Sequence, residues 1–591
     1  MRLKNVLGSF VVAIIIYMGL FSSLYAGDLS ELLMDTVPAI AWVKLMLFGG
    51  IWGLLYRRWL DAEKGSQKAF GKPALFIGAA CTLCMLLDHC FLRYDYIPLA
   101  SLGECVGFLW TWASGAALLS CALQLLATRR KAVAFAAPSE AQPQRLFWLA
   151  FAILLLCWLP YIIVQFPGHI ETTAGQQIRQ GFGQEPISGD NPVFHTLLMK
   201  LVVKGSLRLG FSDTMAVFML SLTQILLLAI ALAWSVKIVG ALCGKPWAIG
   251  LLAFYCICPL FALYGLFIVK DVPFAAAVLL CTCEIAEIVQ DPNAFQKKAG
   301  CIRFLLIACF LCLMRNLAAA ILCVVAVALL IYRRDRQFQR RLLALSLTTL
   351  ALVGAFQLLS KPVLQVETFS NRQAENRSLQ CQMIARVVRE HEGELSQDDL
   401  ATIDRVLPID GMGERYDPEV SDPIKDTWRV GVTREEKLAL DALTAKYLFA
   451  YPLDCLQAMM RMGLPYLTPG DTGRFRSIFD CGFSDIDAIA AVFHPKHLFS
   501  SAVFRKPLDF FQQTPLINLF CSGGLYAWLL LGCLIAVRKN KGMRICFIPA
   551  MTVLLGCLLS PVAGYVRYAL PYMFSTPILF ALTLREGQPK A

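Results

Sequence analysis

Apolar runs long enough to cross a bilayer recur along most of this 591-residue chain. About 20 such residues span the hydrocarbon of a membrane, and no single soluble core could bury so many. The proportions agree: 57% of residues are apolar and only 16% charged, where soluble domains lie nearer half and a quarter. The expectation is an all-α, polytopic transmembrane helical bundle. Spans are expected near 6–26, 38–56, 73–92, 103–127, 146–165, 214–236, 247–268, 272–290, 301–332 (a double segment), 342–360, 515–537, 545–562 and 569–584. The first run follows Arg2 and Lys4 as a signal peptide would. It is long, and bulky Leu24 stands where a cut after Ala26 needs a small residue, so we read it as a retained helix.

Charge orients the bundle. Alternate connectors, starting with the N-terminus, hold 27 Lys and Arg against six acids; the rest of the chain holds 27 bases and 36 acids. By the positive-inside rule the first set is cytoplasmic. The net charge of +12 is therefore a topology signal and no sign of nucleic acid. Residues 301–332 decide the register. As one helix they would measure roughly 48 Å, too long for a core of about 30 Å, and would strand Arg315 in hydrocarbon. Two short helices breaking at Arg315-Asn316 near the outer face bring the total to about 14 segments, with both termini inside.

Four regions follow: an N-terminal four-span part at 1–145, a membrane core at 146–360, a largely helical outer insert at 361–514, and three C-terminal spans at 515–591. Two large connectors face outward, 166–213 and 361–514, of 48 and 154 residues. Within the insert, 378–405 reads as helical and 408–423 as a loop with turn signals. Most of the 22 Cys sit in apolar runs, and no pair of CxxC motifs has zinc-finger spacing. A disulfide among Cys381, Cys455 and Cys481 is open if the insert is extracellular.

The polar residues that could carry chemistry gather at outer connectors. Glu171 follows the Phe166-Pro167-Gly168 turn, where a carboxylate could act as general base or hold a divalent metal; it could equally be a solvated loop acid. Asn191-Pro192 reads as a helix start with Asn as N-cap. Beyond it Lys200, Lys204 and Arg208 form a basic stripe suited to a helix lying on the membrane surface, and His195 stands off that stripe. Lys270-Asp271, Arg315-Asn316 and Arg567-Tyr568 complete the set; an arginine fork meets two phosphate oxygens at once. Acids and several cations at one lipid surface suit a lipid-phosphate substrate. Glu284 and Glu287 read as structural partners of an inner basic connector. No GxxxxGK[ST], GxSxG or HExxH motif occurs.

From about residue 146 onward the order of short motifs resembles GT-C-type membrane glycosyltransferases, and more closely an uncharacterised family of bacterial multi-pass proteins resembling them. The pieces are the PG-containing loop with Gln176-Gln177, NPVFHTLL at 191–198, KDVPF at 270–274, RN at 315–316, SLQCQMIARVV at 378–388, YDPEVSDPIK at 416–425 and RYALP at 567–571. The resemblance implies an outer active site, a polyprenyl-phosphate-linked sugar as donor, inversion at the anomeric carbon, and an acid in the first outer loop as base. It also implies an Asp near Thr173 and a His where Asn191 stands; this chain has neither, and Glu171 lies two residues away.

The reading is a glycosyltransferase in the cytoplasmic membrane, working among membrane lipids on a cell-envelope acceptor. Glu171 would be base or metal ligand, Asp271 and His195 would orient substrate, and Lys270, Arg315, Asn316, Arg567 and Tyr568 would hold phosphate. The alternatives are a lipid or polysaccharide transporter or flippase, and a non-catalytic envelope assembly protein.

Overall fold

The structure is a computed structural model, and it describes residues 2–21, 49–57, 72–97, 99–130, 143–189, 191–315, 318–366, 374, 376–470, 493–499 and 514–586. The chain forms two compact units, Met1–Ala134 with Gly587–Ala591, and Phe135–Glu586. In the first, helices Lys72–Tyr94 and Leu102–Arg130 pack closely because small residues meet: a Cβ on Gly115 would strike Thr82, and one on Gly78 would strike Ser120. Trp112 Nε1 donates to the Ala79 carbonyl at 2.8 Å across this contact. The expected span 38–56 lies mostly outside the described residues.

Among the described residues six helices are long and apolar enough to cross a membrane, so this is a membrane protein. They are Lys72–Tyr94, Leu102–Leu125, Pro143–Val164, Asp213–Cys243, Asp271–Gln290 and Arg336–Val363. Lys245–Ile257 and Pro259–Leu266 form a seventh span if counted together, bent by 55°. The bend has a local cause. Pro259 has no N–H for a continuing helix, and Cys258 before it takes the extended conformation that proline imposes on its neighbour, ψ 117°. Among the described residues some expected spans fold as shorter apolar pieces. Ala318–Tyr332, Gly523–Ala536 and Ile548–Cys557 are of this kind. At 301–332, one helix ends at Met314, Arg315 is extended (φ −152°, ψ 133°), and the next described helix starts at Ala318.

Among the described residues the all-α expectation holds apart from one small parallel pair, β1 (His169–Ile170) and β2 (Phe267–Ile268), with His169 opposite Phe267 and Ile170 opposite Ile268. A single buried side chain secures it. Gln224, on helix Asp213–Cys243, donates through Nε2 to the carbonyls of Tyr264 (2.9 Å), Gly265 (3.1 Å) and Phe267 (2.7 Å). One turn earlier on that helix, Ser221 Oγ donates to the Pro167 carbonyl at 2.8 Å. Gly168 fits beside it only as glycine: its φ is +112°, and a Cβ would overlap Ser221 Oγ.

The insert has a core of its own. Ile384, Val387 and Val388 of helix Ser378–His391 pack with Ile403, Leu407, Leu440 and Tyr447. Helix Arg434–Ala450 starts with a capping box, Thr433 and Glu436 bonding each other's backbone N–H. The open disulfide resolves in part: Cys381 and Cys455 are buried and unbridged, and burial pushes their thiols up to about 12 and about 11. Cys481 lies outside the described residues.

Candidate functional site

Four stretches far apart in sequence meet at the mouths of the apolar helices. Glu171 caps the short helix Thr172–Gly181: its Oε2 accepts from Thr173 N–H at 2.7 Å, so the local helix start orients the carboxylate. Its other oxygen, Oε1, lies 2.7 Å from Arg567 Nη1. Asp271 opens helix Asp271–Gln290 and is 1% exposed. It meets two guanidinium groups, Arg315 Nη1 at 3.2 Å from Oδ1 and Arg567 Nε at 3.7 Å from Oδ2. Arg567 thereby links the two carboxylates.

Aromatic rings flank both arginines. Arg315 lies 5.3 Å from the Phe274 ring and 5.5 Å from that of Tyr568. Arg567 lies 4.4 Å from Tyr565 and 5.3 Å from Tyr568. Such faces hold a cation in position while leaving its edge N–H groups available. Asn316 lies outside the described residues.

Lys270 sits beside Asp271 and donates through Nζ to Asn191 Oδ1 at 2.6 Å. This corrects the sequence reading of Asn191. The helix Val193–Arg208 takes Pro192 as its cap residue, with no side-chain cap bond, so the Asn191 side chain reaches Lys270 and, at 3.4 Å, Gln176 Oε1. Burial lowers the Lys270 ammonium below its usual range; Arg567 and Arg315 add to this, and Asp271 and Glu171 oppose it. His195 is placed one layer behind. Its Nδ1 is 3.0 Å from Gln177 Oε1, while Gln177 Nε2 donates to Thr196 Oγ1 at 2.9 Å. With the amide so placed, Nδ1 carries the proton and the ring is neutral; burial, then Lys270, lowers it to about 4.

The structure therefore brings Glu171, Asp271, Lys270, Arg315, Arg567 and Tyr568 into one cluster in which two carboxylates face three cations. Asn191 and Tyr565 belong with them and were not singled out for this from sequence. The only signal for Tyr565 was its place two residues before Arg567. Lys200, Lys204 and Arg208 stay on the outer stripe of their helix. Glu284 and Glu287 pair with Arg303 (at 2.5 and 2.6 Å), away from the cluster.

A metal does not fit the donor set. Both carboxylates already face guanidinium groups, and among the described residues no three or more His, Cys, Asp or Glu gather as metal ligands would.

The insert supports the turn that leads into Arg567, the second residue of helix Val566–Glu586. Ser421 donates to the Pro561 carbonyl twice, from N–H and from Oγ, each at 2.9 Å. Ala563 N–H donates to the Glu419 carbonyl at 2.8 Å, Val420 bridges to Val562, and Tyr466 Oη donates to the Val562 carbonyl at 2.8 Å. The YDPEVSDPIK stretch is thus a clamp on residues 561–563, four positions before Arg567.

Comparison with known proteins adds a family and no activity. Residues 186–591 match the model of a family of unknown function, DUF6020. No curated protein and no solved structure matches the chain.

Proposed function

We propose that this chain, which belongs to the DUF6020 family of unknown function, is an inverting glycosyltransferase. It moves a sugar from a polyprenyl-phosphate donor to a cell-envelope acceptor on the outer face of the cytoplasmic membrane. The topology that goes with this has about 14 membrane segments, both termini cytoplasmic, and residues 166–213 and 361–514 outside.

The observation that carries the reading is the shared partnership of Arg567, which touches Glu171 at 2.7 Å and Asp271 at 3.7 Å. It joins a first-loop acid to a cation group at the ends of apolar helices, where a lipid phosphate would sit. In the reaction, the acceptor hydroxyl gives its proton to the Glu171 carboxylate as its oxygen bonds to the anomeric carbon. The bond from that carbon to the phosphate oxygen breaks, and the electron pair leaves with the phosphate. Arg315 and Lys270 meet the charge that develops there. Protonation of Glu171 removes one anionic partner of Arg567, freeing its fork for the departing phosphate. Asp271 holds the two arginines in place. Neutral His195 holds Gln177, the neighbour of the Gln176 that Asn191 meets.

The test is transfer by the purified protein in lipid nanodiscs, given labelled polyprenyl-phosphate sugars and membrane glycan acceptors. A new glycosidic bond of inverted configuration, lost in Glu171→Gln and Arg567→Ala, is expected. Movement of labelled lipid across a bilayer with no bond formed would replace this reading with the transporter one.

A further inference from the structure

The insert exposes one apolar surface that its own core does not explain. At the elbow between helices Arg434–Ala450 and Pro452–Gly463, Leu448, Phe449, Leu453, Leu456 and Met459 are all exposed, Phe449 at 88% and Leu453 at 69%. Leu453, Leu456 and Met459 are spaced three apart and share one helix face, while Cys455, Ala458 and Met462 face inward. Isolated exposed apolar residues are ordinary, and Val430 between Arg429 and Gly431 is one; five within twelve residues at one elbow suit a binding surface.

The level of this helix indicates what covers it. Directly after Gly463 the chain runs along the apolar helices. A Cβ on Gly463 would lie 3.3 Å from the Leu558 carbonyl, just past helix Ile548–Cys557. Trp528 Nε1 donates to the Leu467 carbonyl at 2.6 Å. Thr468 lies against Gly524, and Gly470 N–H donates to Ser522 Oγ at 2.9 Å, so residues 467–470 lie at the start of helix Gly523–Ala536. The 12-residue helix before them, about 18 Å long, starts within that distance of the same level. Its exposed residues are apolar.

We propose that the 448–459 elbow inserts into the head-group and acyl boundary of the bilayer, making the insert a membrane-docked module. The occupant is the lipid leaflet. The proposal does not depend on the glycosyltransferase reading.

An environment-sensitive fluorescent amino acid placed at 449, 453 or 456, and at 430 as control, tests it in nanodiscs holding one protein each. Brominated acyl chains should quench the three elbow sites several-fold more than position 430, and aqueous iodide the reverse. Equal iodide quenching at 453 and 430 would overturn the proposal. So would an elbow shielded from both quenchers, which would mean coverage by protein; the third site guards against one disruptive replacement.

Discussion

Arg567 Nη1 stands 2.7 Å from Glu171 Oε1, although the two residues lie nearly 400 positions apart in the chain. The pair sets the carboxylate against a fixed cation at a helix start, where the N-terminal dipole points at it. As the proposed general base, Glu171 should contribute about 10²- to 10⁴-fold to rate. Glu171→Gln should therefore abolish most transfer while leaving donor binding near normal, measured as kcat against KM. Arg567→Lys, which keeps charge but loses the fork, should raise KM for the donor. Unchanged kinetics in both variants would refute the assignment.

In the proposed reaction Lys270 should set an alkaline limit on phosphate binding. Its ammonium loses its proton below the ordinary lysine range, chiefly because it is buried. Donor affinity should fall as pH rises through that lowered value. Lys270→Arg should remove this limb, because guanidinium stays charged. Asn191→Asp should shift the limb upward by adding a carboxylate at the 2.6 Å contact. The linked stability runs the other way: between the folded value and 10.5 the unfolded chain holds more protons, so rising pH favours the fold there. Binding curves from pH 7 to 10.5 check the first claim.

Burial of neutral His195 should make the fold acid-sensitive. Its folded value is lowered to about 4 against 6.5 in the unfolded chain. Stability is full above pH 6.5 and is lost as pH falls from there toward 4, by at most about 3 kcal/mol. Buried His169, lowered to about 3, adds to the same loss. Thermal unfolding of His195→Gln between pH 7 and 4.5 should show a shallower slope than the parent; parallel slopes would contradict this.

The insert should matter for transfer through position alone. Ser421→Ala removes one of two bonds to the Pro561 carbonyl, costing about 1 kcal/mol. Tyr466→Phe removes the bond to Val562 at similar cost. Because Arg567 follows four residues after position 563, at the start of helix Val566–Glu586, each should cut transfer about tenfold with a modest drop in Tm. Normal transfer with the Tm lowered would show that the clamp is only structural.

Orientation can be read from intact cells. A tag at exposed Val430 should react with an impermeant probe from outside, and one at Lys541 only after permeabilisation. The opposite pattern would invert the membrane map and remove the outer active site with it.

Membrane class and the break at Arg315 were legible in sequence because both follow from run length measured against a fixed bilayer thickness. The proposed sidedness rests likewise on a count, of bases in alternate connectors. The candidate residues were also legible one by one, since a charged group at the end of an apolar run stands out locally. The partnerships were not. Asn191 looked like a helix cap and is a Lys270 ligand; YDPEVSDPIK looked like a loop and is a clamp on the Arg567 strand of chain; Arg567 joins two acids from different segments. These depend on how apolar helices such as Asp271–Gln290 and Val566–Glu586 pack side by side, which sets distances between residues hundreds of positions apart. Packing of that kind leaves no periodic trace in the chain. Tertiary structure also decided that several apolar runs become short or bent helices, because prolines and connector bonds interrupt backbone hydrogen bonding that hydropathy alone does not register.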